Sequence, residues 1–481
     1  MNKVRQINAL INGKNYQNGK WVDITSPTTN EIIGQVPALT KKEIDDCYQT
    51  AASAQKSWAI MPLLERIAIL NQWKQLIVEY QAEIVDLIVL EIAKGKSAAL
   101  AEVTRTIDYI DYTFEEMKRI EPRTYTGDSW GIANKMGIFQ YVPKGVVLAI
   151  SPFNYPVNLS IAKIIPALVA GNTVVFKPAS QGSLVGLFLA QLANVAKIPA
   201  GVFNAISGKG SEIGDILVEN PLINVISFTG STAVGTGIAQ KSLRAELVLE
   251  MGGKDPAIVL ADADLELTAA KIIKGAFSYS GQRCTAIKRV LVDQKVKQQL
   301  VKLLVAKINK LTVGNPEDDC DITPVINDKA VKYIKGLIND ASKKGAKILT
   351  GNKFEQNLIY PTLVDNVTEA MALAWEEPFG PVLPIISFNN IDEAIKIANE
   401  SQYGLQAAIF TTNINSAMTI AHALETGTVN INDQTQRGPD LFPFIGVKDS
   451  GLGVQGIHDA LISFLRPKGI VFNWSDKKEN K

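Results

Sequence analysis

Three cysteines, Cys47, Cys284 and Cys320, are the thiols of this sequence that could attack a carbonyl carbon. The thiolate is the reactive form, and a neighbouring cation favours it whereas carboxylates disfavour it. Cys320 lies in the acidic run Asp318–Asp321, and Cys47 falls on the apolar face of a predicted helix, as expected of a core residue. Cys284 directly follows Arg283. We therefore predict that Cys284 is the nucleophile, with an inert thiol as the alternative.

Glu250 is the candidate general base. It ends the apolar run Leu247–Leu249 and precedes the glycine pair Gly252-Gly253. A carboxylate in apolar surroundings is expected to have a raised pKa, which suits a base that activates water. A glutamate at the exposed end of a strand is the alternative. The only two histidines, His422 and His458, are expected to be structural, so a Cys–His or His-rich zinc scheme is disfavoured.

The segment Phe228–Gly235 could bind a phosphate. It follows a predicted buried strand and opens a helix, where free backbone amides and the positive end of the helix favour anions. The segment matches neither GxGxxG nor the GK[ST] ending of a P-loop. Taken alone, it is equally typical of a plain turn between a strand and a helix.

These residues need elements that bring them together, and the hydrophobic pattern predicts an α/β protein. Apolar spacing indicates one helix through Ile44–Trp58 and a second long helix from Leu70 to Ile88. Short apolar strands then alternate with helices, which implies parallel βαβ units. The predicted strands lie at 146–150, 172–177, 202–204 and 225–228, and the helices between them at 161–169 and 184–195.

A second alternating series from Ala257 to Ile431 predicts another α/β unit, with the junction near residues 250–255. The polar stretch 121–141 is expected to leave the first unit. The apolar strand 469–474 would expose its edge, so we hypothesise that it pairs across a subunit interface.

Length and charge limit the function. A chain of 481 residues exceeds one hydrophobic core, so two or three structural units are expected. The formal net charge of +1 gives no support to nucleic-acid binding or to an anionic membrane surface. The start does not resemble a signal peptide, no apolar run could span a bilayer, and the cysteines are few. We expect a cytoplasmic protein.

Several motifs together resemble the aldehyde dehydrogenase superfamily. Glu250–Lys254 and Gly281–Cys284 are similar to its glutamate and cysteine signatures, and the other motifs follow in the family's order. The resemblance spans nearly the whole chain. The further motifs are Pro152–Pro156, Phe176–Pro178, Phe228–Ser231 and Glu377–Pro381.

The resemblance implies a fold of three parts. A parallel-sheet dinucleotide-binding domain would comprise residues 1–120 and 142–251. An α/β catalytic domain would comprise residues 252–455. A small oligomerisation domain would comprise residues 121–141 and 456–481, and the family suggests a homotetramer.

The resemblance also implies roles for site residues. Cys284 would attack an aldehyde, the Asn154 amide and the Cys284 N–H would hold the oxyanion, and Glu250 would activate the water that hydrolyses the thioester. The implied contacts of the dinucleotide are Lys177 with the adenine ribose, Gly230 and Ser231 with the pyrophosphate, and Glu377 and Phe379 with the nicotinamide end. No metal is implied.

Ser180 predicts the choice of dinucleotide. NAD-preferring members of the family commonly carry a glutamate at this position, two residues beyond Pro178. A carboxylate would accept ribose hydroxyls and repel a 2′-phosphate, whereas serine leaves Lys177 free to pair with that phosphate. We therefore predict a preference for NADP, with dual specificity as the alternative.

Three arginines suggest a phosphorylated substrate. Arg105, Arg283 and Arg437, together with Tyr155, resemble the substrate site of non-phosphorylating glyceraldehyde-3-phosphate dehydrogenases within the superfamily. The implied reaction, a step of glycolysis, converts D-glyceraldehyde 3-phosphate, NADP and water into 3-phosphoglycerate and NADPH. The alternatives are a semialdehyde dehydrogenase for a carboxylate-bearing aldehyde and a non-catalytic scaffold, and each arginine could instead form a structural ion pair.

Overall fold

The computed structural model of the chain describes residues 4–242 and 244–474. Residues 1–3 and 475–481, the outer ends of the predicted first and third domains, lie outside the described residues. Within the described part no helix is long and apolar enough to cross a membrane. The same residues include no group of three or more His, Cys, Asp and Glu side chains arranged to hold a metal ion.

The first large sheet has eight strands, of which the five central ones run parallel. This confirms the predicted βαβ units. Helices Asn158–Val169, Ser183–Val195, Gly210–Val218 and Thr232–Lys241 connect the parallel strands. In spatial order the strands are Gly451–Leu452, Glu246–Glu250, Ile223–Thr229, Val146–Ile150, Thr173–Lys177, Phe203–Ala205, Ala9–Ile11 and Lys14–Tyr16.

The order of these strands marks a ligand site. The chain enters the parallel part at Val146–Ile150 and adds Thr173–Lys177 and Phe203–Ala205 on one side. It then returns to add Ile223–Thr229 and Glu246–Glu250 on the other side. The order therefore reverses between Val146–Ile150 and Ile223–Thr229, and doubly wound sheets bind ligands beyond the carboxyl ends of the strands at such a point.

Four helices pack beside this sheet before its first parallel strand. The prediction of one continuous helix from Leu70 to Ile88 is wrong, because the backbone leaves the helical region at Tyr80 (φ −94°, ψ 17°). Leu70 and Ile88 are both buried, so the apolar pattern continues across the break. Cys47 is fully buried in the first helix, as predicted. The helices are Lys41–Ile60, Leu63–Glu79, Gln81–Ile92 and Lys96–Met117.

The second large sheet has seven strands, six of them parallel. In spatial order they are Lys347–Thr350, Thr362–Asp365, Val382–Phe388, Arg289–Asp293, Pro256–Val259, Gln406–Phe410 and Thr428–Ile431. Buried apolar clusters cover this sheet, as they do the first. Its helices are Leu265–Phe277, Lys297–Ile308, Asp328–Lys343, Ala372–Trp375, Ile391–Asn399 and Ile414–Ala423.

A third, antiparallel sheet contains Arg123–Thr126, Lys135–Pro143 and Leu465–Asn473. The last strand pairs with Lys135–Pro143 of the same chain over nine residues, from Leu465↔Pro143 to Asn473↔Lys135. The strand thus has a partner within its own chain at one edge, which the hypothesis did not include, and pairing across a subunit interface stays a prediction. Its second edge is the edge of the sheet.

Short elements complete the described fold. The strand Gly451–Leu452 comes from the segment 252–455, predicted to be catalytic, yet it pairs with Glu246–Glu250 of the first sheet. The remaining strands are the sheet Arg5–Gln6, Ile32–Pro37 and Trp21–Thr25 and the pairs Phe354–Glu355 with Leu358–Ile359, Tyr403–Gly404 with Val447–Lys448, and Phe444–Ile445 with Val454–Gln455. The remaining helices are the α-helix Ile457–Ser463 and the 3-10 helices Asp128–Trp130, Ser278–Gly281 and Pro316–Asp318.

Candidate active site

A cavity of about 820 Å³ opens where the strand order of the first sheet reverses. Its wall includes Ile150 and Thr229, the last residues of the two strands that flank the reversal. Residues of the second sheet's half of the chain close the opposite side. Seven of the predicted site residues line the cavity: Asn154, Lys177, Gly230, Ser231, Cys284, Glu377 and Phe379.

The nucleophile candidate Cys284 follows a tightly bent segment. Tyr279, Ser280 and Gly281 have positive φ angles of 51°, 53° and 71°. A Cβ on Gly281 would lie 2.4 Å from the carbonyl oxygen of Gly380, so no larger side chain fits there. The bend therefore brings Cys284 to the cavity wall against the loop that carries Phe379.

The electrostatics of Cys284 differ from the prediction. The pKa of the thiol is raised to about 11, mainly by burial; Lys288 lowers it, and Glu250 and Glu377 raise it. Lys288 is the neighbouring cation, since its Nζ donates to the Cys284 carbonyl and lies 3.1 Å from Glu377 Oε1. The expectation that Arg283 favours the thiolate is wrong in this conformation.

Arg283 instead points to the interior. Its Nη2 donates to the Gly275 carbonyl at 2.5 Å, and the residue is 7% exposed. Its buried Nε has no hydrogen-bond partner among the described residues. Adjacent residues in a chain diverge in direction, so proximity in sequence to Cys284 did not predict proximity of the charged groups.

Glu250 lies at the end of its strand and is 6% exposed. Its Oε1 accepts from Arg437 Nη1 at 2.6 Å, and its Oε2 accepts from the Thr229 hydroxyl at 2.5 Å. Lys163 Nζ is 3.6 Å from Oε2. Burial alone would raise the pKa of Glu250, but these partners stabilise the carboxylate and the pKa is lowered. The predicted raised pKa is therefore wrong.

Two of the predicted arginines lie together. Arg105 forms a two-pronged ion pair with Asp440, with both N···O distances 2.7 Å, and its Nη2 donates to the Arg437 carbonyl at 3.1 Å. The Arg437 guanidinium packs over the Phe444 ring at 4.7 Å. Each arginine thus pairs with a carboxylate, and Arg437 pairs with the candidate base.

Asn154 and Tyr155 follow the strand Val146–Ile150. The Asn154 amide donates from Nδ2 to the Gln282 carbonyl at 2.9 Å, which ties it to the segment before Cys284. That amide has a second N–H, so it can donate to an oxygen in the cavity. The Tyr155 ring packs against the Tyr279 ring at 6.4 Å.

At the other end of the cavity lies a lysine whose charge is not paired with a carboxylate among the described residues. Lys177 is 6% exposed, burial lowers its pKa to about 8, and its amine has no protein partner within the described residues. Ser180 follows in a loop that the buried Glu91 holds by accepting from the Gly182, Leu184 and Val185 amides. This end can therefore hold an anion without first breaking an ion pair.

Between the two ends lie the segment Phe228–Gly235, which could bind a phosphate, and the loop that contains Glu377. Gly230 donates its amide to the Glu250 carbonyl at 3.1 Å. Ser231 is the N-cap residue of the helix Thr232–Lys241 and makes no side-chain capping bond, so the positive end of this helix can receive an anion. Glu377 accepts from the Gly253 amide at 3.2 Å. The Phe379 ring meets Phe153 edge-on at 5.8 Å.

The sequence reasoning missed several polar residues around this site. Lys163 carried a usable signal, because it is the one charged residue in the mostly apolar helix Asn158–Val169. Its buried Nζ has no hydrogen-bond partner among the described residues. Thr229, Lys288 and Asp440 gave no such signal, since each pairs with a side chain that is distant in the sequence, namely Glu250, Glu377 and Arg105 respectively.

Comparison with known proteins identifies the family. The sequence profile described as "Aldehyde dehydrogenase family" matches residues 14–470. The NADP-dependent glyceraldehyde-3-phosphate dehydrogenase of Streptococcus equinus is 50% identical, covering 96% of this chain and 98% of that protein. The enzyme of the same description from Pisum sativum is 47% identical, covering 96% and 93%.

A solved structure is equally similar. The crystal structure of NADP-dependent glyceraldehyde-3-phosphate dehydrogenase from Bacillus halodurans C-125 complexed with NADP has a TM-score of 0.97 and 51% sequence identity, covering 98% of this chain and 100% of that chain. The predicted aldehyde dehydrogenase-like α/β fold is therefore confirmed. With the profile matching most of its length, this chain belongs to the aldehyde dehydrogenase family.

Proposed function

We propose that the chain oxidises D-glyceraldehyde 3-phosphate to 3-phosphoglycerate, using NADP and water, through a thioester on Cys284. One observation carries this proposal: Arg105 donates to the Arg437 carbonyl, and the Arg437 guanidinium donates to Glu250, while Cys284 and Asn154 lie on the wall of one cavity. The similar proteins of Streptococcus equinus and Pisum sativum are NADP-dependent glyceraldehyde-3-phosphate dehydrogenases.

The residues of the cavity fit NADP. The uncommitted Lys177 amine suits a 2′-phosphate, Ser180 offers no repelling carboxylate, and the helix that follows Ser231 suits the pyrophosphate. Glu377 and Phe379 would face the nicotinamide end. When bound, NADP supplies the oxidant, a nicotinamide ring that takes up hydride. The similar Bacillus halodurans structure was solved with NADP.

The first chemical step assigned to the chain is attack by Cys284. Its sulfur bonds to the aldehyde carbon as the carbonyl π electrons move to oxygen, and the Asn154 amide donates to that oxygen. The thiol must first lose its proton. Lys288 lowers the pKa of the thiol, and Lys163 and Arg437 interact favourably with a thiolate at Cys284.

The second step assigned to the chain is hydrolysis of the thioester. Glu250 takes a proton from water, the hydroxide oxygen bonds to the acyl carbon, and the carbon–sulfur bond breaks. Arg437 and Thr229 each bond one oxygen of Glu250 and lower its pKa, which makes the carboxylate a weaker base. A substrate phosphate that draws the guanidinium of Arg437 away would free the carboxylate, which links binding of the correct substrate to the availability of the base.

The alternatives fit less well. A carboxylate-bearing aldehyde could also bind arginine, but two adjacent guanidiniums with Tyr155 suit a phosphate dianion. A non-catalytic scaffold would need neither the buried Glu250 pair nor an uncommitted Lys177. Arg283 is proposed as a third phosphate ligand, a role that requires its guanidinium to leave the Gly275 carbonyl and turn towards the cavity.

We further propose the three domains predicted above and a cytoplasmic homotetramer. The outer strand Leu465–Asn473 supports assembly. Its consecutive large apolar side chains point alternately to the two faces of the sheet and are exposed on both. Ile470, Val471 and Phe472 are 47%, 51% and 45% exposed. Apolar surface of this kind beside a free strand edge is typical of a protein interface.

Replacing Glu250 tests its role as the base. Glu250→Gln is expected to keep a burst of NADPH of about one per active site and to slow steady-state turnover by about 10²- to 10⁴-fold. Rapid-mixing absorbance at 340 nm measures both. Glu246→Gln, on the same strand but exposed, serves as control and retains normal turnover; Cys284→Ser should give no burst. A Glu250→Gln enzyme with unchanged turnover would contradict the assignment.

Replacing Arg105 tests the phosphate site. Arg105→Met is expected to raise the KM for glyceraldehyde 3-phosphate by roughly 10- to 100-fold, since a charge-assisted bond to phosphate is lost, with little change for glyceraldehyde. Arg119→Met, in an exposed arginine just beyond the same helix, is the control. Equal increases in KM for both aldehydes would contradict the role of Arg105 in binding the substrate phosphate. A preference of the native enzyme for succinic semialdehyde would favour a semialdehyde dehydrogenase that acts on a carboxylate-bearing aldehyde.

The pKa of Lys177 predicts a pH dependence of NADP binding. Below about pH 8 the amine is charged and the affinity is constant, while the 2′-phosphate is a dianion above about pH 6. Above pH 8 the free enzyme loses its ammonium, so the Kd for NADP is expected to rise up to about tenfold per pH unit. Fluorescence titration from pH 6.5 to 10 measures it, with Lys177→Met as comparison. A flat profile would contradict the role of Lys177.

The assembly proposal is tested by light scattering. The native chain is expected at four chain masses, and Phe472→Lys is expected to shift the population towards smaller species because it places a charge in the proposed interface. Ile414→Lys, at an exposed apolar residue elsewhere in the chain, is the control. A native monomer would sink the proposal.

A further inference from the structure

A buried ion pair lies behind the active site, and the mechanism above does not use it. Lys94 and Glu102 are 1% and 3% exposed, with Nζ 2.5 Å from Oε2. Lys94 follows the helix Gln81–Ile92, and Glu102 lies in the helix Lys96–Met117. Removing two charges from water is costly, and apolar residues could fill the same volume. The contacts of the pair therefore indicate what it does.

The ammonium of Lys94 contacts both segments that form the reaction centre. Its Nζ donates to the Asn154 carbonyl at 2.7 Å. It also lies over the Tyr155 ring at 3.8 Å and the Tyr279 ring at 4.5 Å, both within the range of cation–π attraction. One cation thus joins the Asn154–Tyr155 segment to the segment that leads into Cys284.

The carboxylate of Glu102 holds the far side of the first segment. Its Oε1 accepts from the Val157 and Asn158 amides at 2.9 and 3.0 Å, at the start of the helix Asn158–Val169. Negative charge is favourable at a helix N-terminus. The ion pair therefore holds this segment at both ends, through the carbonyl of residue 154 and the amides of residues 157 and 158.

The second segment is held through Tyr279. Its hydroxyl donates to the Ile92 carbonyl at 3.3 Å, and its left-handed backbone (φ 51°) needs such support. The Gln282 carbonyl then accepts from the Asn154 amide. The two segments are consequently braced by Lys94 on one side and by the amide of Asn154 on the other.

We propose that Lys94 and Glu102 are positioning residues that hold the Asn154 amide and the Tyr155 side chain at a set distance from Cys284. This inference rests on the proposed function, because it gives these two residues roles in aldehyde oxidation. Neither Lys94 nor Glu102 lines the cavity, so they act through the residues that they hold.

The test measures acylation in single turnover with glyceraldehyde 3-phosphate and with glyceraldehyde. Lys94→Met, which keeps the length of the side chain but loses its bonds, is expected to slow NADPH formation by roughly 10- to 100-fold with both aldehydes, because the oxyanion donor is displaced. The Kd for NADP is expected to stay unchanged. Lys74→Met, in the more exposed Lys74–Asp111 pair, is the control and keeps the native rate.

A background variant separates positioning from general stability. If Lys94 acts through Asn154, Lys94→Met is expected to have little further effect on acylation in an Asn154→Ala enzyme. A purely structural role would slow both backgrounds equally or lower only the melting temperature. Equal slowing, or native acylation in a folded Lys94→Met enzyme, would overturn the proposal.

A paired substitution keeps the test open if the single variant does not fold. Lys94→Met with Glu102→Met leaves no unpaired buried charge, so it is expected to fold yet to acylate slowly. Native acylation in this double variant would also overturn the proposal. If the unmodified enzyme oxidised neither aldehyde with NADP, the proposed function itself would fail, which is a separate outcome.

Discussion

The active site depends on one close approach of backbones at Gly252 and Gly253. The chain crosses there from the last parallel strand of the first sheet to the first strand of the second. A Cβ on Gly252 would lie 2.3 Å from Glu377 Oε2, and one on Gly253 would lie 2.9 Å from the Cys284 carbonyl. At Gly252 the Glu377 side chain would have to move, whereas at Gly253 the neighbour is backbone, so only glycine allows the contact there. It brings the nucleophile segment and the Glu377 loop to the wall of a single cavity, directly after the strand that ends at the base candidate Glu250.

Around this contact the fold buries charges in pairs that serve different purposes. Glu250 is held by Arg437, Thr229 and the nearby Lys163, a combination that keeps it ionised but occupied. Lys177 is left without a protein partner in the described part of the chain. The first arrangement must be opened during the reaction, whereas the second is ready to receive an anion. Both charged groups are buried. The proposed catalytic group, Glu250, already has protein partners that neutralise its charge, whereas the proposed binding group, Lys177, has none among the described residues.

Much of the fold, and seven of the residues that line the cavity, could be predicted from sequence. The parallel strands, the choice of Cys284 over Cys47, and the family itself follow from local composition and motif order. The predicted helix from Leu70 to Ile88 was wrong because apolar spacing does not record a break of one residue. The hypothesis for the final strand missed its partner Lys135–Pro143, since pairing over more than 300 residues of sequence leaves no local pattern.

The sequence by itself determined which residues are candidates for the chemistry. They are the thiol of Cys284, which lies outside acidic or core surroundings, the acid Glu250 before two glycines, and the arginines Arg105, Arg283 and Arg437. Only the tertiary structure decided their charges and partners. It turned Arg283 away from the thiol, lowered the pKa of Glu250 instead of raising it, and set Lys94 behind Asn154. The physical reason is that electrostatic interaction depends on distance and burial in space, and neither quantity is encoded in the spacing of residues along the chain.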